Sequence, residues 1–288
     1  MDAYRIVERG GQRDILGEGL LWSARDNAVY WTDIQAPALN RLSLADGAVT
    51  RWQMPDWLGW VIERRDTPGF IAGFRTEIAE LDLDPVRVRP LAAPEPDLPD
   101  NRLNDAKADS AGRIWAGTMP RREDHPAGSL YRLDPGGRMT RMDEGYVVSN
   151  GPAFSPDGRF LYHTDSIARR IWRFALDAAG NLTDKRLFIA FAPEWGYPDG
   201  MTCDSTGHLW IGHFGGGCVS RFSPDGEKER SIALPCSQIT NVCFAGPELD
   251  RMFVTSAARG KPDEPLAGSL FEISGHGATG LPPGRYGG

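Results

Sequence analysis

One segment and its echoes limit what this chain can fold into. From Asn150 the residues read Asn-Gly-Pro-Ala-Phe-Ser-Pro-Asp-Gly-Arg-Phe-Leu-Tyr-His-Thr-Asp, ending at Asp165. That is a polar residue, a short strand, a Pro-Asp-Gly turn and a second strand. The frame returns without gaps. With Glu18 laid on Asn150, Ser23 falls on Ser155, Tyr30 on Tyr162 and Asp33 on Asp165. With Asn104 laid on it, Gly112-Arg113 falls on Gly158-Arg159; with Asp199 laid on it, Gly207 falls on Gly158. The spacing is 86 residues from Glu18 to Asn104, 46 on to Asn150 and 49 on to Asp199, which suits two units and then one unit each.

Taken in order, the chain is nearly all strand-sized pieces and turns. Residues 20–24, 28–33, 38–44 and 48–52 make one complete unit. Further units run over about 58–92, 105–143, 151–191, 200–234 and 242–273. The third carries an insertion, Arg121 to Ala127, between its second and third strands, and Ala92 to Pro99 reads as a surface loop. No amphipathic helix of 12 residues or more is evident. Six such units predict an all-β, six-bladed β-propeller with four-stranded blades, a single domain over residues 1–288. The ring is expected to close by pairing the segment near Tyr4–Val7 into the sixth blade. Trp31, Trp115, Trp172 and Trp210 fall at strand positions and are expected between blades. The Gly- and Pro-rich stretch 274–288 is expected to be a loose tail.

A radial arrangement brings equivalent positions together at one end of the axis. Glu18, Asn104, Asn150 and Asp199 sit just before the first strand of their units, so four oxygen-bearing side chains would converge there. Four chosen slots would all be Asp, Glu or Asn by chance roughly once in 1,500 trials. The alternative is that such residues merely cap turns. The second unit opens with Trp57-Leu58-Gly59-Trp60-Val61 and offers no such residue; Asn241 lies near the position in the sixth, in an ambiguous register.

Composition narrows the function. A net charge of −7 without a basic block argues against nucleic acid as a partner. No apolar run reaches transmembrane length, and the N-terminus does not read as a secretory signal. Cys203, Cys218, Cys236 and Cys243 form no C-x-x-C pair or zinc-ribbon spacing and are expected as reduced thiols of a cytoplasmic protein. There is no G-x-S-x-G elbow and no Walker or dinucleotide motif.

Gly17-Glu18-Gly19, Arg102-Leu103-Asn104-Asp105, Ala116-Gly117-Thr118-Met119, Ser149-Asn150-Gly151-Pro152 and Pro198-Asp199-Gly200-Met201 follow in this order. Over essentially its whole length the chain resembles the gluconolactonase family that includes senescence marker protein (regucalcin) and bacterial sugar lactonases. The resemblance implies one divalent metal on the propeller axis, held by Glu18, Asn150 and Asp199, with Arg102 and Asn104 on substrate hydroxyls. Where regucalcin-like members carry a sugar-binding Glu in the third-blade loop, Arg122 lines up here, with Glu123 beside it. Arg122 is therefore expected either to point to solvent or to favour a different hydroxyl pattern.

The donor types agree with that resemblance. Two carboxylates and an amide oxygen are hard ligands, suited to Ca2+ first, with Mg2+, Mn2+, Zn2+ and Fe2+ as other candidates. A cation there can polarise a lactone carbonyl, and Asp199 can take a proton from the attacking water. The expected reaction is hydrolysis of a pentono- or hexonolactone to the aldonic acid, with a small sugar lactone as partner and no obligatory protein partner evident. Two other readings stay open: a Ca2+-binding regulatory protein with little turnover, and a metal-free propeller that binds proteins. His163 and His208 are expected as strand or turn residues, while His213 could line the pocket. Asp33 and Asp165 are expected to make loop hydrogen bonds.

Overall fold

The computed structural model describes residues 4–288, and every strand in it belongs to one of six four-stranded antiparallel sheets. From the axis outward, the blades are β2(Gly17–Ser23) to β5(Val49–Gln53), β6(Leu58–Glu63) to β9(Val86–Ala92), β10(Asn101–Ala108) to β13(Met139–Tyr146), β14(Ser149–Phe154) to β17(Leu182–Ala190), and β18(Tyr197–Cys203) to β21(Lys228–Ala233). The sixth has β22(Ile239–Ala245), β23(Arg251–Ser256) and β24(Leu270–Ser274), with β1(Arg5–Arg9) as its outer strand. β1 pairs β24 from Arg5 opposite Ser274 to Arg9 opposite Leu270, so the ring closes as the repeat requires. The one helical element among the described residues is a 3-10 turn at Pro193–Trp195.

Burial falls from axis to rim. Every residue of β2, β6 and β22 is buried, whereas β5, β9 and β17 are mostly exposed. The inner strands can therefore carry apolar residues and site residues, and the outer ones carry charge. Trp31, Trp115 and Trp210 are almost wholly enclosed, and their indole N–H groups donate to Asp14, Asp109 and Asp204 at 2.6, 2.9 and 3.0 Å. Burying an indole without such a partner would leave a polar group unmet. Trp172 differs: it is only half-buried, with the Lys185 ammonium over its ring.

The repeated turns follow from glycine. The N–H groups of Gly112, Gly158 and Gly207 donate to Asp109, Ser155 and Asp204 carbonyls at 3.0, 2.9 and 3.0 Å, all three glycines at positive φ. Asp33 and Asp165 do hold loops: Asp33 accepts from the N–H groups of Ile15, Leu16 and Ala36, and Asp165 from those of Val147, Val148 and Ala168.

The expected loose tail is instead docked. Ser205 N–H donates to Thr279 O, Tyr286 N–H to Glu63 O and Gly287 N–H to Gly112 O, at 2.8, 2.8 and 3.1 Å. Tyr286 is 3% exposed and belongs to a core cluster with Trp60 and Ile114. The tail thus crosses from the fifth and sixth blades to the second and third, over the face to which the inner strands run. Glycine and proline there serve a close-fitting strap rather than mobility.

Candidate active site on the propeller axis

Every inner strand breaks register near its start. The shifts lie between Glu18 and Leu21, Leu58 and Trp60, Leu103 and Ala106, Asn150 and Ala153, Pro198 and Met201, and Ile239 and Asn241. A bulge re-aims the side chain at the break. Glu18, Asn104, Asn150 and Asp199 therefore lie within the first strands, at these breaks, rather than just before them. In the second blade the break falls at Gly59, where an added Cβ would stand 2.4 Å from Asn104 O. The absence of a side chain there lets the neighbouring blade approach. In the sixth blade the break settles the ambiguous register on Asn241.

Hydrogen bonds tie Glu18, Asn104, Asn150 and Asn241 to neighbouring side chains, while Asp199 is linked to the other acids through charge. Arg102 donates to Asn104 Oδ1 at 2.6 Å, Asn104 Nδ2 to Asn150 Oδ1 at 2.9 Å and Asn150 Nδ2 to Ser166 Oγ at 2.9 Å. Between the adjacent sixth and first blades Asn241 Nδ2 donates to Glu18 Oε2 at 3.0 Å. Asp105 accepts from the N–H of Gly151, next to Asn150, at 3.2 Å. All of them are buried, Glu18 at 6% and Asp199 at 7% exposure.

Burial and mutual repulsion set the charges. Burial, then the Asp105 carboxylate, push Glu18 up to about 7. Burial raises Asp105 to about 6, and burial with Glu18 and Asp105 holds Asp199 well above the ordinary carboxylate range. Burial also lowers Arg102 to about 10. Like-charged acids enclosed together call for a cation, and the donors around them are all hard oxygens. Among the described residues no three His, Cys, Asp or Glu side chains are gathered closely enough to hold a metal ion by themselves.

Arg122 is exposed on the third-blade insertion. Its neighbour Glu123 is half-buried and acts electrostatically on both Arg102 and Asp199. At φ 58° its backbone is left-handed, which turns the acid inward where a regular loop would present Arg122. Arg122 thus points to solvent, the first of the two outcomes expected of it, and Arg122→Glu is expected to leave the ranking of lactones within about twofold, checked by kcat/KM on a lactone panel. Glu123 also pairs with Arg259 of the sixth blade at 3.5 Å. The third and sixth blades are opposite in a six-membered ring, so this ion pair spans the mouth.

The histidines are structural. His163 is fully buried with Nε2 on Ser149 Oγ at 2.9 Å, and His208 is held by Thr206 in a turn. His213 hydrogen-bonds Trp195 O and packs on Phe191, and burial lowers it to about 4. All four cysteines are free thiols. Sequence reasoning missed Asp105 and Lys107 as neighbours of the acids. Both follow Asn104 within one strand, but their facing depends on the bulge at Leu103–Ala106, which no residue type announces.

Fold and site define a six-bladed propeller with a buried oxygen-donor centre at one end of its axis. Residues 16–258 match the SMP-30/Gluconolactonase/LRE-like region, and the chain belongs to that family. It is 38% identical to a 6-deoxy-6-sulfogluconolactonase of Pseudomonas putida, covering 90% of this chain and 91% of that one. It is 35% identical to a pentonolactonase of Haloferax volcanii, covering 99% and 98%. The crystal structure of a calcium-binding protein, regucalcin, from Agrobacterium tumefaciens superimposes with a TM-score of 0.91 at 29% identity, covering 98% and 97%. Relatives in this family are thus named as sugar lactonases. Among the described residues no helix is long and apolar enough to cross a membrane.

Proposed function

We propose that this protein is a metal-dependent sugar lactonase that opens an aldonolactone to the aldonic acid. The observation that carries the reading is the axial cluster itself: Glu18, Asp105 and Asp199 buried together, with the Asn150 amide and the Arg102–Asn104 pair on its edge. Scaffolding alone gives no reason to bury three acids within electrostatic reach of one another. Glu18, Asn150 and Asp199 would hold a divalent ion, Ca2+ first among the candidates, which would supply Lewis-acid polarisation of the lactone carbonyl.

The chain's own groups do the rest. Arg102 and Asn104 exchange their mutual hydrogen bond for sugar hydroxyls and fix the ring. Asp199 accepts a proton from water as the water oxygen bonds to the carbonyl carbon. The ring C–O ester bond then breaks, and the proton passes to the leaving alkoxide, leaving an open-chain acid and its new hydroxyl. Burial and the neighbouring acids raise the proton affinity of Asp199, and a bound cation would offset part of that rise and keep the carboxylate ionised to accept the proton.

The finer substrate reading concerns charge. Arg259 lies near enough to Arg102 to oppose its charge; Glu123 acts on both guanidinium groups, while Glu18 and Asp199 act on Arg102 from the axis. An exposed pair of this kind is worth about 0–1 kcal/mol, so it opens readily to an incoming anion. We assign to this site lactones bearing an anionic group at the far end of the sugar, a sulfonate like that in the name of the Pseudomonas relative being one example.

Acid release from glucono-1,5-lactone, xylono-1,4-lactone and a 6-sulfonated gluconolactone, with and without chelator, tests both levels. Turnover above the spontaneous rate should vanish with chelator and return with a divalent cation. Arg259→Ala should cost the sulfonated lactone about tenfold in kcat/KM and the neutral ones little, because a hydrogen bond to a charged group contributes about 1.5–3 kcal/mol. Equal losses on both would remove the anionic assignment. Release of no acid from any lactone, or undiminished turnover under chelation, would remove the lactonase reading.

A further inference from the structure

The axial channel has a second chamber, on the face opposite the acids. Five of the six inner strands run from a site residue to a chamber residue, Glu18 to Leu20, Asn104 to Lys107, Asn150 to Phe154, Asp199 to Cys203 and Asn241 to Phe244, and the remaining one runs from Gly59 to Val61 and Ile62. At ~3.3 Å per residue, Lys107 stands roughly 10 Å along the strand from Asn104. The chamber has a volume of about 440 Å3, and none of the proposed metal ligands lines it. Its walls are largely apolar, with Leu20, Val61, Ile62, Phe154 and Phe244 among them, and Leu281 to Gly284 of the docked tail close its floor.

Two cationic side chains line this space, Lys107 and Arg113, and Arg113 is paired with Asp109. Lys107 is enclosed deep in the ring yet keeps accessible surface, which the chamber alone can provide. Its ammonium donates to Met201 O, and the remaining N–H groups have no acceptor among the described residues. Asp105 is its electrostatic neighbour and accepts from the N–H groups of Ala106 and Gly151, at 2.8 and 3.2 Å, with no hydrogen bond to Lys107. The rim charges pair elsewhere: Asp109 with Arg113 and Asp157 with Arg159, each at 2.6 Å. An apolar chamber of this size with one unspent cationic donor at its inner end has the form of a small-molecule site.

We infer that the chamber binds an amphipathic monocarboxylate, its acid group on Lys107 and its apolar body along the channel toward Leu281. The site is separate from the lactone site and does not depend on the lactonase reading.

Calorimetry on the full-length, metal-loaded protein with octanoate as probe, and 1-octanol as its neutral counterpart, tests this. Octanoate should bind one to one and at least tenfold tighter than the alcohol. Lys107→Met should abolish that preference while leaving the alcohol bound. Leu281→Trp fills the chamber from its floor, outside the blades, and should abolish binding of both ligands while leaving thermal stability and metal binding unchanged. Octanoate binding should persist in Asp199→Ala and in chelated protein; loss in either would put the acid on the axial metal and overturn the assignment. Absence of binding to wild type, as for a chamber that holds only water, would overturn it too, as would affinity unchanged by both chamber variants.

Discussion

Asp199→Ala is expected to lower kcat/KM by on the order of 10^4-fold, because one change removes a metal ligand and the group that takes the proton, and general-base catalysis alone contributes about 10^2–10^4-fold. The environment of Asp199 makes the two roles separable. Its carboxylate is enclosed with Glu18 and Asp105, and burial and those charges raise its proton affinity. Asp199→Asn keeps an oxygen in place and discards the basicity. With metal saturating, the Asn variant should bind the cation, measured by calorimetry, and still turn over at least 100-fold more slowly than wild type. Recovery of most of the activity at saturating metal would make Asp199 a ligand only. Full activity of Asp199→Ala after exhaustive chelation would dispose of both roles.

Stability should report the same cluster through pH. The folded pKa values of Glu18 and Asp105 are raised, to about 7 and about 6, so the folded chain holds protons that the unfolded chain has already released. The part of stability that comes from these acids is therefore present below the ordinary carboxylate pKa and is lost as pH rises toward 7. His163 and His213 act oppositely over part of the same interval, since burial keeps them neutral at about 3 and about 4. The clean quantity is thus the difference in Tm between metal-loaded and metal-free protein, in which the histidines cancel. That difference should widen from pH 4.5 to 7 by on the order of 5 °C, as the cation replaces protons among the acids. Glu18→Gln should narrow it at pH 7. A difference that stays flat with pH would mean that the acids are not the cation's site.

These expectations rest on residues that the sequence revealed unequally. Glu18, Asn104, Asn150 and Asp199 were legible because a gapless repeat marks equivalent positions, and closing the ring makes equivalent positions neighbours at the axis. Six blades, their boundaries and the closure by the N-terminal strand followed from turn residues and alternation, which act over a few residues. The roles of Asp33 and Asp165 were legible for the same reason.

Tertiary structure decided what depends on facing and on distant segments. A bulge reverses which side a residue serves, so Asp105 and Lys107 could be placed only once the register was known. The family resemblance aligned Arg122 with a pocket acid, whereas it is the half-buried Glu123, at a left-handed backbone, that pairs with Arg259, 136 positions away. The tail looked loose because glycine and proline disfavour regular structure locally. It is held by Glu63, Gly112 and Ser205, partners from three blades that no local pattern brings together. Local propensity and repeat spacing are written into neighbouring residues, so the sequence alone determined the ring and the four axial positions. The inward acid, the mouth-spanning ion pair and the closed second chamber arise only where remote segments meet, and packing decided them.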